Sequence, residues 1–184
     1  MDNDQRLWTV GHSNRDSATL LAMLADAGIR QLVDVRRFPG SRRHPQFASE
    51  TLAAGLREAG IDYLHLPTLG GRRKALPDSP NTAWRVDGFR AYADHLASTE
   101  YTDGRTRLMA LAHQRPTTVM CAEALWWQCH RRLIADDFTA RGWTVLHLMG
   151  PGKTELHPLN EEAVMVHEVL QYPAQQSELF GGVG

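Results

Sequence analysis

The sequence contains only two cysteines and no long hydrophobic run. Two cysteines in 184 residues cannot form the disulfide framework that holds small secreted domains together. The hydrophobic runs have the length of strands, so we predict no transmembrane helix and no membrane partner. The first residues are acidic and polar, which is not the pattern of a secretory signal. We therefore expect a cytoplasmic protein.

The chain also has almost no net charge, with 20 lysines and arginines against 21 acidic residues. This balance argues against a protein that binds nucleic acid through a uniformly basic surface. The arginines nevertheless occur in adjacent pairs near predicted strand ends, which favours a local anion site over an ordinary solvated surface. The pairs are Arg36-Arg37, Arg42-Arg43, Arg72-Arg73 and Arg131-Arg132.

Hydrophobic runs alternate with segments of helical periodicity, and no internal repeat or low-complexity segment is present. The runs predict strands at 7–10, 31–36, 62–66, 117–121 and 144–149. Helices are predicted between them, with caps at Ser17 and Ser49, and further helices over 129–140 and 161–171. The segment from 68 to 84 is rich in Gly, Pro and Arg and predicts a long loop.

This alternation predicts the α/β class. We expect a single three-layer domain over residues 1–171, with a mostly parallel sheet of about five strands flanked by helices. Residues 172–184 are mostly polar and predict a flexible C-terminal tail.

Polar and reactive residues follow four of the predicted strands. The carboxyl ends of parallel strands meet at one edge of a sheet, and ligands of open α/β folds bind there. We therefore expect these side chains to share a site. In strand order they are His12 and Ser13; Asp34, Arg36, Arg37, Arg42, Arg43 and Gln46; Arg72 and Arg73; and Cys121, Glu123, Cys129, His130 and Arg131.

The segment that contains both cysteines predicts the reacting centre. Cys129 is expected to open a helix, where the helix dipole and the adjacent His130 and Arg131 favour a thiolate. Glu123 is placed to act as an acid or a base, and Cys121 is the alternative nucleophile. The plain alternative is that both cysteines are inert core residues.

Two further ligands suit the same segment. Cys121, Cys129, His130 and His12 are residue types that bind zinc, although their spacing is not the tight C-x-x-C pattern. We predict no cofactor and keep zinc as an alternative. Trp127 is placed to stack on a base beside the arginines, although one of the two adjacent tryptophans is expected to pack beneath the loop.

Asp34 lies inside a predicted strand, where an unpaired carboxylate is costly. Arg36 or Arg43 is expected to pair with it, which would hold the remaining arginines for an anion. A purely structural ion-pair network is the alternative.

The motifs resemble those of the domain-of-unknown-function 488 family of bacterial and archaeal proteins. The matching segments are Thr9-Val10-Gly11-His12-Ser13, 33–47, 65–73, 120–123 and 129–132. They run in order over most of the chain, from about Trp8 to Met149. The resemblance implies family membership and no particular activity.

The tail carries a separate motif. Gln176, Leu179 and Phe180 resemble the Gln-x-x-Leu-Phe peptides with which bacterial DNA-processing proteins bind the sliding clamp. The Leu-Phe pair would fill a hydrophobic groove of that partner. A chance match, or a tail that folds back on its own domain, explains the motif equally well.

Three functional hypotheses follow. The first is an enzyme or enzyme-like domain that acts on nucleic acid or nucleotides, with DNA maintenance as its candidate process. The second is a sulfur-transfer or thiol enzyme that uses Cys121 or Cys129. The third is a non-catalytic module that binds nucleic acid or protein.

Overall fold

The computed structural model describes residues 5–175, and a sheet covered by helices forms its centre. The strands are β1 (Arg6–Gly11), β2 (Gln31–Asp34), β3 (Asp62–His65), β4 (Thr117–Cys121), β5 (Thr144–Gly150), β6 (Lys153–Leu156), β7 (Val164–Val166) and β8 (Val169–Gln171). The helices are α1 (Ser17–Asp26), α2 (Ser49–Glu58), α3 (Asp87–His95), α4 (Thr99–Gln114) and α5 (Arg131–Ala140). None of them is long and apolar enough to cross a membrane.

Six strands form one sheet in the order β3-β2-β4-β1-β5-β6. The first five are parallel, and β6 is an antiparallel edge strand. The α/β class and the mostly parallel sheet are therefore confirmed. The prediction of about five strands missed β6, a short and exposed strand whose polar sequence carries little hydrophobic pattern.

The two faces of the sheet carry separate hydrophobic cores. Val119 and Cys121 of β4 face a core built with α3, α4 and α5, whereas Met120 faces a core built with α1 and α2. This alternation follows from the period of two along a strand. Helices on both faces make the three-layer architecture.

The carboxyl ends of the central strands are aligned. Gly11 of β1 lies opposite Cys121 of β4, and Asp34 of β2 lies opposite Met120. The backbone after β4 crosses directly over Gly11. A Cβ at this position would lie only 1.7 Å from the Glu123 carbonyl oxygen. The missing side chain of Gly11 therefore lets the loop after β4 fold back over β1.

The predicted helix over 161–171 is wrong. This segment is a hairpin in which β7 and β8 pair, and both turn residues, His167 and Glu168, have positive φ values of 47° and 65°. Such a turn matches the twist of two short strands, and the valines of the segment favour extended backbone. Ordered packing continues into the predicted tail, because Tyr172 is buried and its hydroxyl donates to Asp136 at 2.8 Å.

The predicted helix starts need small corrections. Asp16 caps α1 by accepting a hydrogen bond from the Thr19 N–H at 2.7 Å, so Ser17 is the first helical residue. Ser49 likewise begins α2 and does not cap it. The helix expected from residue 129 begins at Arg131, which leaves Cys129 extended, two residues before α5.

Candidate functional site

A cleft of about 250 Å³ opens at the carboxyl edge of the sheet. Its walls come from the segments that follow β2, β3 and β4 and from the residues just before α5. The lining residues are Arg36, Arg37, Phe38, Gly71, Arg72, Cys121, Ala122, Glu123, Cys129 and His130. The predicted convergence of distant segments therefore holds for three strand ends.

The two cysteines lie together at the floor of the cleft. Both are reduced and buried, and Cys129 is 6% exposed. The Cys121 thiol donates to the Glu123 carbonyl oxygen at 3.6 Å, and both cysteines line the same cleft. The pKa of Cys121 is raised well above its ordinary value by burial and by the neighbouring Cys129, so Cys121 stays a thiol.

The pKa of Cys129 is shifted in the opposite direction. Burial by itself raises it, but the Cys121 thiol, the Arg131 guanidinium and the Arg131 backbone N–H all favour the thiolate, and the net effect lowers the pKa. The two thiols therefore differ in their tendency to ionise, because the pKa of Cys121 is raised and that of Cys129 is lowered.

Arg131 acts from inside the protein. It is 0% exposed, and its guanidinium donates to the Glu123 and Ala124 carbonyl oxygens at 3.0 and 2.9 Å. No carboxylate in the described part of the chain lies within 4 Å of it. Arg131 was predicted to bind an anion, but it lies beneath the cleft, where it holds the loop that follows Cys121.

A chain of buried hydrogen bonds supports Arg131 from behind. Arg131 donates to the Thr9 hydroxyl at 3.2 Å, which leaves Thr9 to donate to His147 Nδ1 at 2.6 Å. His147 Nε2 is 2.9 Å from His157 Nδ1, and His157 Nε2 is 2.7 Å from the Asp136 carboxylate. Burial, with the nearby His157 and Arg131, lowers the pKa of His147 to about 2, so its ring stays neutral. The sequence reasoning missed this chain.

Asp34 pairs with Arg36, which is one of the two partners predicted for it. Its carboxylate accepts from the Arg36 guanidinium at 2.9 and 2.7 Å and from the Tyr63 hydroxyl at 2.6 Å. Arg36 also donates to the Phe47 carbonyl oxygen at 2.8 Å. The pair therefore fixes the backbone at the end of β2, and the residues that follow it, Arg37 and Phe38, form part of the cleft wall.

His12 supports this pair and does not line the cleft. Its Nε2 accepts from Arg36 at 3.3 Å, its Nδ1 is 2.8 Å from the Ser13 carbonyl oxygen, and its ring stacks on Phe47 at 4.6 Å. Burial lowers the pKa of His12 to about 4. The catalytic role predicted for His12 has no support from this position.

The mouth of the cleft carries two arginines around an exposed ring. Arg37 and Arg72 place their guanidinium carbons 5.7 and 5.8 Å from the centre of the Phe38 ring. Arg37 donates to the Arg72 carbonyl oxygen at 2.6 Å. A Cβ on Gly71 would lie 3.0 Å from His130 Nδ1, so glycine lets this loop approach the cleft floor closely. Phe38 also lines the cleft, and the sequence reasoning missed it.

Several predicted site residues lie outside the cleft lining. Arg42 and Arg43 are exposed on the loop after β2, and Arg43 does not pair with Asp34. Arg73 pairs with Glu100 at 2.9 Å, and Gln46 donates to the Arg15 carbonyl oxygen at 3.1 Å. Ser13 is a turn residue with a φ of 49°. Gln176, Leu179 and Phe180 lie outside the described residues.

The tryptophans divide as the sequence suggested. Trp126 packs beneath the loop, with its ring stacked on His147 at 4.6 Å. Trp127 is 40% exposed but is not part of the cleft lining. The base-stacking role of Trp127 stays a prediction.

His130 completes the cleft floor. Its Nδ1 is 3.5 Å from the Cys129 sulfur, and its ring packs 4.9 Å from Tyr92. Burial lowers the pKa of His130, which favours the neutral ring. Within residues 5–175, no group of three or more His, Cys, Asp and Glu side chains is placed to hold a metal ion.

The fold and the cleft together define an α/β protein with a paired-thiol site at the carboxyl edge of its sheet. Residues 16–138 match the family model described as Domain of unknown function DUF488. The chain therefore belongs to this family, as the motifs indicated. No curated protein and no solved structure matches the chain significantly.

Proposed function

We propose that this protein is a cysteine-dependent enzyme that acts on a nucleic acid or a nucleotide, with Cys129 as its nucleophile. One observation carries the proposal: an activated thiol lies at the floor of a cleft whose mouth is cationic. This combines the nucleic-acid hypothesis with a specific reactive group.

Cys129 is favoured as the nucleophile because the buried Arg131 cation has no carboxylate partner among the described residues. A buried charge is stable only with compensation, and a thiolate at Cys129 supplies it. An inert core cysteine would have a raised pKa, as Cys121 has. The contrast between the two thiols therefore supports a chemical role for Cys129.

An anionic substrate is favoured by the arginines at the mouth. Arg37 and Arg72 are exposed, and within the described part of the chain neither lies within 4 Å of a carboxylate. Arg73, their neighbour in sequence, is by contrast paired with Glu100. Guanidinium groups left without acidic partners bind phosphate through charge-assisted hydrogen bonds.

Glu123 is the candidate acid–base group. Its side chain is exposed, and the residue lines the cavity together with Cys129. A carboxyl group at this position has access to solvent and to the substrate, which proton transfer requires. His130, which is neutral and adjacent to the Cys129 sulfur, is a positioning residue in this proposal.

Alkylation by iodoacetamide tests the proposal in the Cys121→Ser variant, which keeps a donor hydroxyl beside Cys129. The Cys129 sulfur forms a bond to carbon and iodide leaves. We expect a rate that titrates below the value of about 8.5 of a free thiol. AMP or a short single-stranded oligonucleotide should slow the reaction, and added salt should relieve the protection by the oligonucleotide. Mass spectrometry of the modified peptide measures the rate.

The control is the Cys129→Ser variant, in which Cys121 should react slowly because burial keeps it protonated. Titration of Cys129 at or above the free-thiol value would remove the nucleophile from the proposal. Failure of both ligands to protect Cys129 of the Cys121→Ser variant at low salt would remove the substrate from the proposal.

A further inference from the structure

The Phe38 side chain is exposed to solvent at the mouth of the cleft. Its side chain is 65% exposed, and it is the one large exposed apolar residue of the described part that lines the cleft. Leu156 is equally exposed at 66%, but it lies on β6, the outermost strand of the sheet, and does not line the cleft. Isolated exposed apolar residues are common, whereas an aromatic ring at the mouth of a reactive cleft is available to a ligand.

The ring is held in place by the arginines beside it. Both guanidinium carbons lie within 6 Å of the ring centre, which is the range of cation–π attraction. The hydrogen bond from Arg37 to the Arg72 carbonyl joins the two loops that carry them. Arg72 has a φ of 59°, an uncommon value for a residue with a side chain. The structure therefore keeps Phe38, Arg37 and Arg72 together as a unit.

The size of the cleft decides which part of a substrate it can hold. Pockets for whole small ligands commonly measure roughly 300–1,000 Å³. A cleft of about 250 Å³ is smaller than this range, so it accepts a fragment of a ligand and leaves the rest at the mouth. The part left outside would meet an aromatic face and two cationic groups.

We propose that Phe38 is the stacking surface for a base of a single-stranded nucleic acid, with Arg37 and Arg72 on the adjoining phosphates. The inference rests on the proposed function and narrows its substrate class. Every base has a π-face that can stack on an aromatic side chain, and guanidinium groups bind the phosphate that follows. A paired base in a duplex has no open face, so the unit selects an unpaired strand.

Two oligonucleotides of equal charge test this role. One is a short single-stranded oligodeoxythymidylate, and the other has the same backbone with abasic residues. We expect the wild type to bind the first roughly 5- to 150-fold more tightly, the range that stacking of one base supplies. Fluorescence anisotropy at several salt concentrations measures both affinities.

Substitutions then separate stacking from charge. Phe38→Ala should abolish the preference for the oligonucleotide with bases and leave the salt dependence unchanged, whereas Phe38→Trp should retain the preference. Arg72→Met should weaken both oligonucleotides and reduce the salt slope by about one contact. Leu156→Ala, which removes an equally exposed apolar residue, should change neither affinity.

The outcomes distinguish the two proposals. Equal affinity of the wild type for both oligonucleotides, or a Phe38→Ala variant that keeps the preference, would overturn the stacking role and leave the proposed function standing. The same holds if AMP protects Cys129 while no oligonucleotide binds. If neither AMP nor an oligonucleotide binds at low salt, both proposals fail.

Discussion

Burial raises the pKa of Cys129, but the backbone N–H and the guanidinium of Arg131, which is buried without a carboxylate partner in the described structure, help to lower it. Arg131 thus acts on the thiol in two ways, through the first free amide of α5 and through its charge. It also donates to the carbonyl oxygens of the loop that follows Cys121. One residue therefore sets both the ionisation of Cys129 and the shape of the cleft floor.

Arg131→Met should slow the alkylation of Cys129 at pH 7 by roughly tenfold, because the loss of a nearby cation disfavours the thiolate. The Arg131→Lys variant keeps the charge, so its rate of Cys129 alkylation should lie between the rates of Arg131→Met and wild type. Arg132→Met is the matched control, since Arg132 lies over the Trp84 ring at 4.6 Å. An unchanged rate in a folded Arg131→Met variant would contradict this role. Circular dichroism checks the fold.

Asp34→Asn should lower the free energy of unfolding by about 3–5 kcal/mol, because it leaves the buried Arg36 guanidinium without its counter-charge. Asp62→Asn is the control. Asp62 pairs with Arg115 at the surface, where loss of the pair costs less than about 1 kcal/mol. Urea denaturation measures the free energy of unfolding of both variants. Similar losses would show that the buried pair of Asp34 and Arg36 stabilises the protein no more than a surface pair does.

Gly11→Ala should destabilise the protein by about 1–3 kcal/mol or more, since the new Cβ meets the Glu123 backbone. The same clash should displace the loop after β4 and reduce the reactivity of Cys129. Gly55→Ala in α2 has open space around it and should instead stabilise the helix by about 0.5–1 kcal/mol. A harmless Gly11→Ala would mean that the loop after β4 does not need this close approach.

Stability should fall as the pH is lowered from 7 to 5. His12 and His147 have pKa values of about 4 and about 2 in the folded protein, below the ordinary 6.5. The unfolded chain therefore takes up protons through this window while the folded protein does not, and the stabilisation present above pH 6.5 is lost. His147 alone should account for roughly 2 kcal/mol at pH 5. Urea denaturation at both pH values measures the change, and equal free energies of unfolding would contradict it.

The sequence predicted this fold where local pattern and burial agree. The five parallel strands lie where hydrophobic runs predicted them, because strands buried on both faces read as continuous apolar segments. The pairing of Asp34 with Arg36 followed from the cost of a buried carboxylate. The hairpin of β7 and β8 was mistaken for a helix, since three-residue strands carry too little periodicity to separate the two.

The candidate site was predicted in its segments but not in the roles of its residues. Arg72 and Arg131 both belong to arginine pairs near strand ends, yet one lies at the mouth of the cleft and the other is buried beneath it. Cys121 and Cys129 are likewise similar in the sequence, but their pKa values shift in opposite directions.

The sequence by itself determined the α/β class, the positions of the five parallel strands, the family and the convergence of the cysteine and arginine segments. Only the tertiary structure decided which guanidinium faces solvent, which thiol has the lowered pKa and that Phe38 stands at the cleft mouth. The reason is physical: burial, charge compensation and hydrogen bonding at these residues come from partners distant in the chain, such as Thr9 beside Arg131 and Gly71 beside His130. Periodicity records which side of an element is buried, and it carries no information about what that side meets.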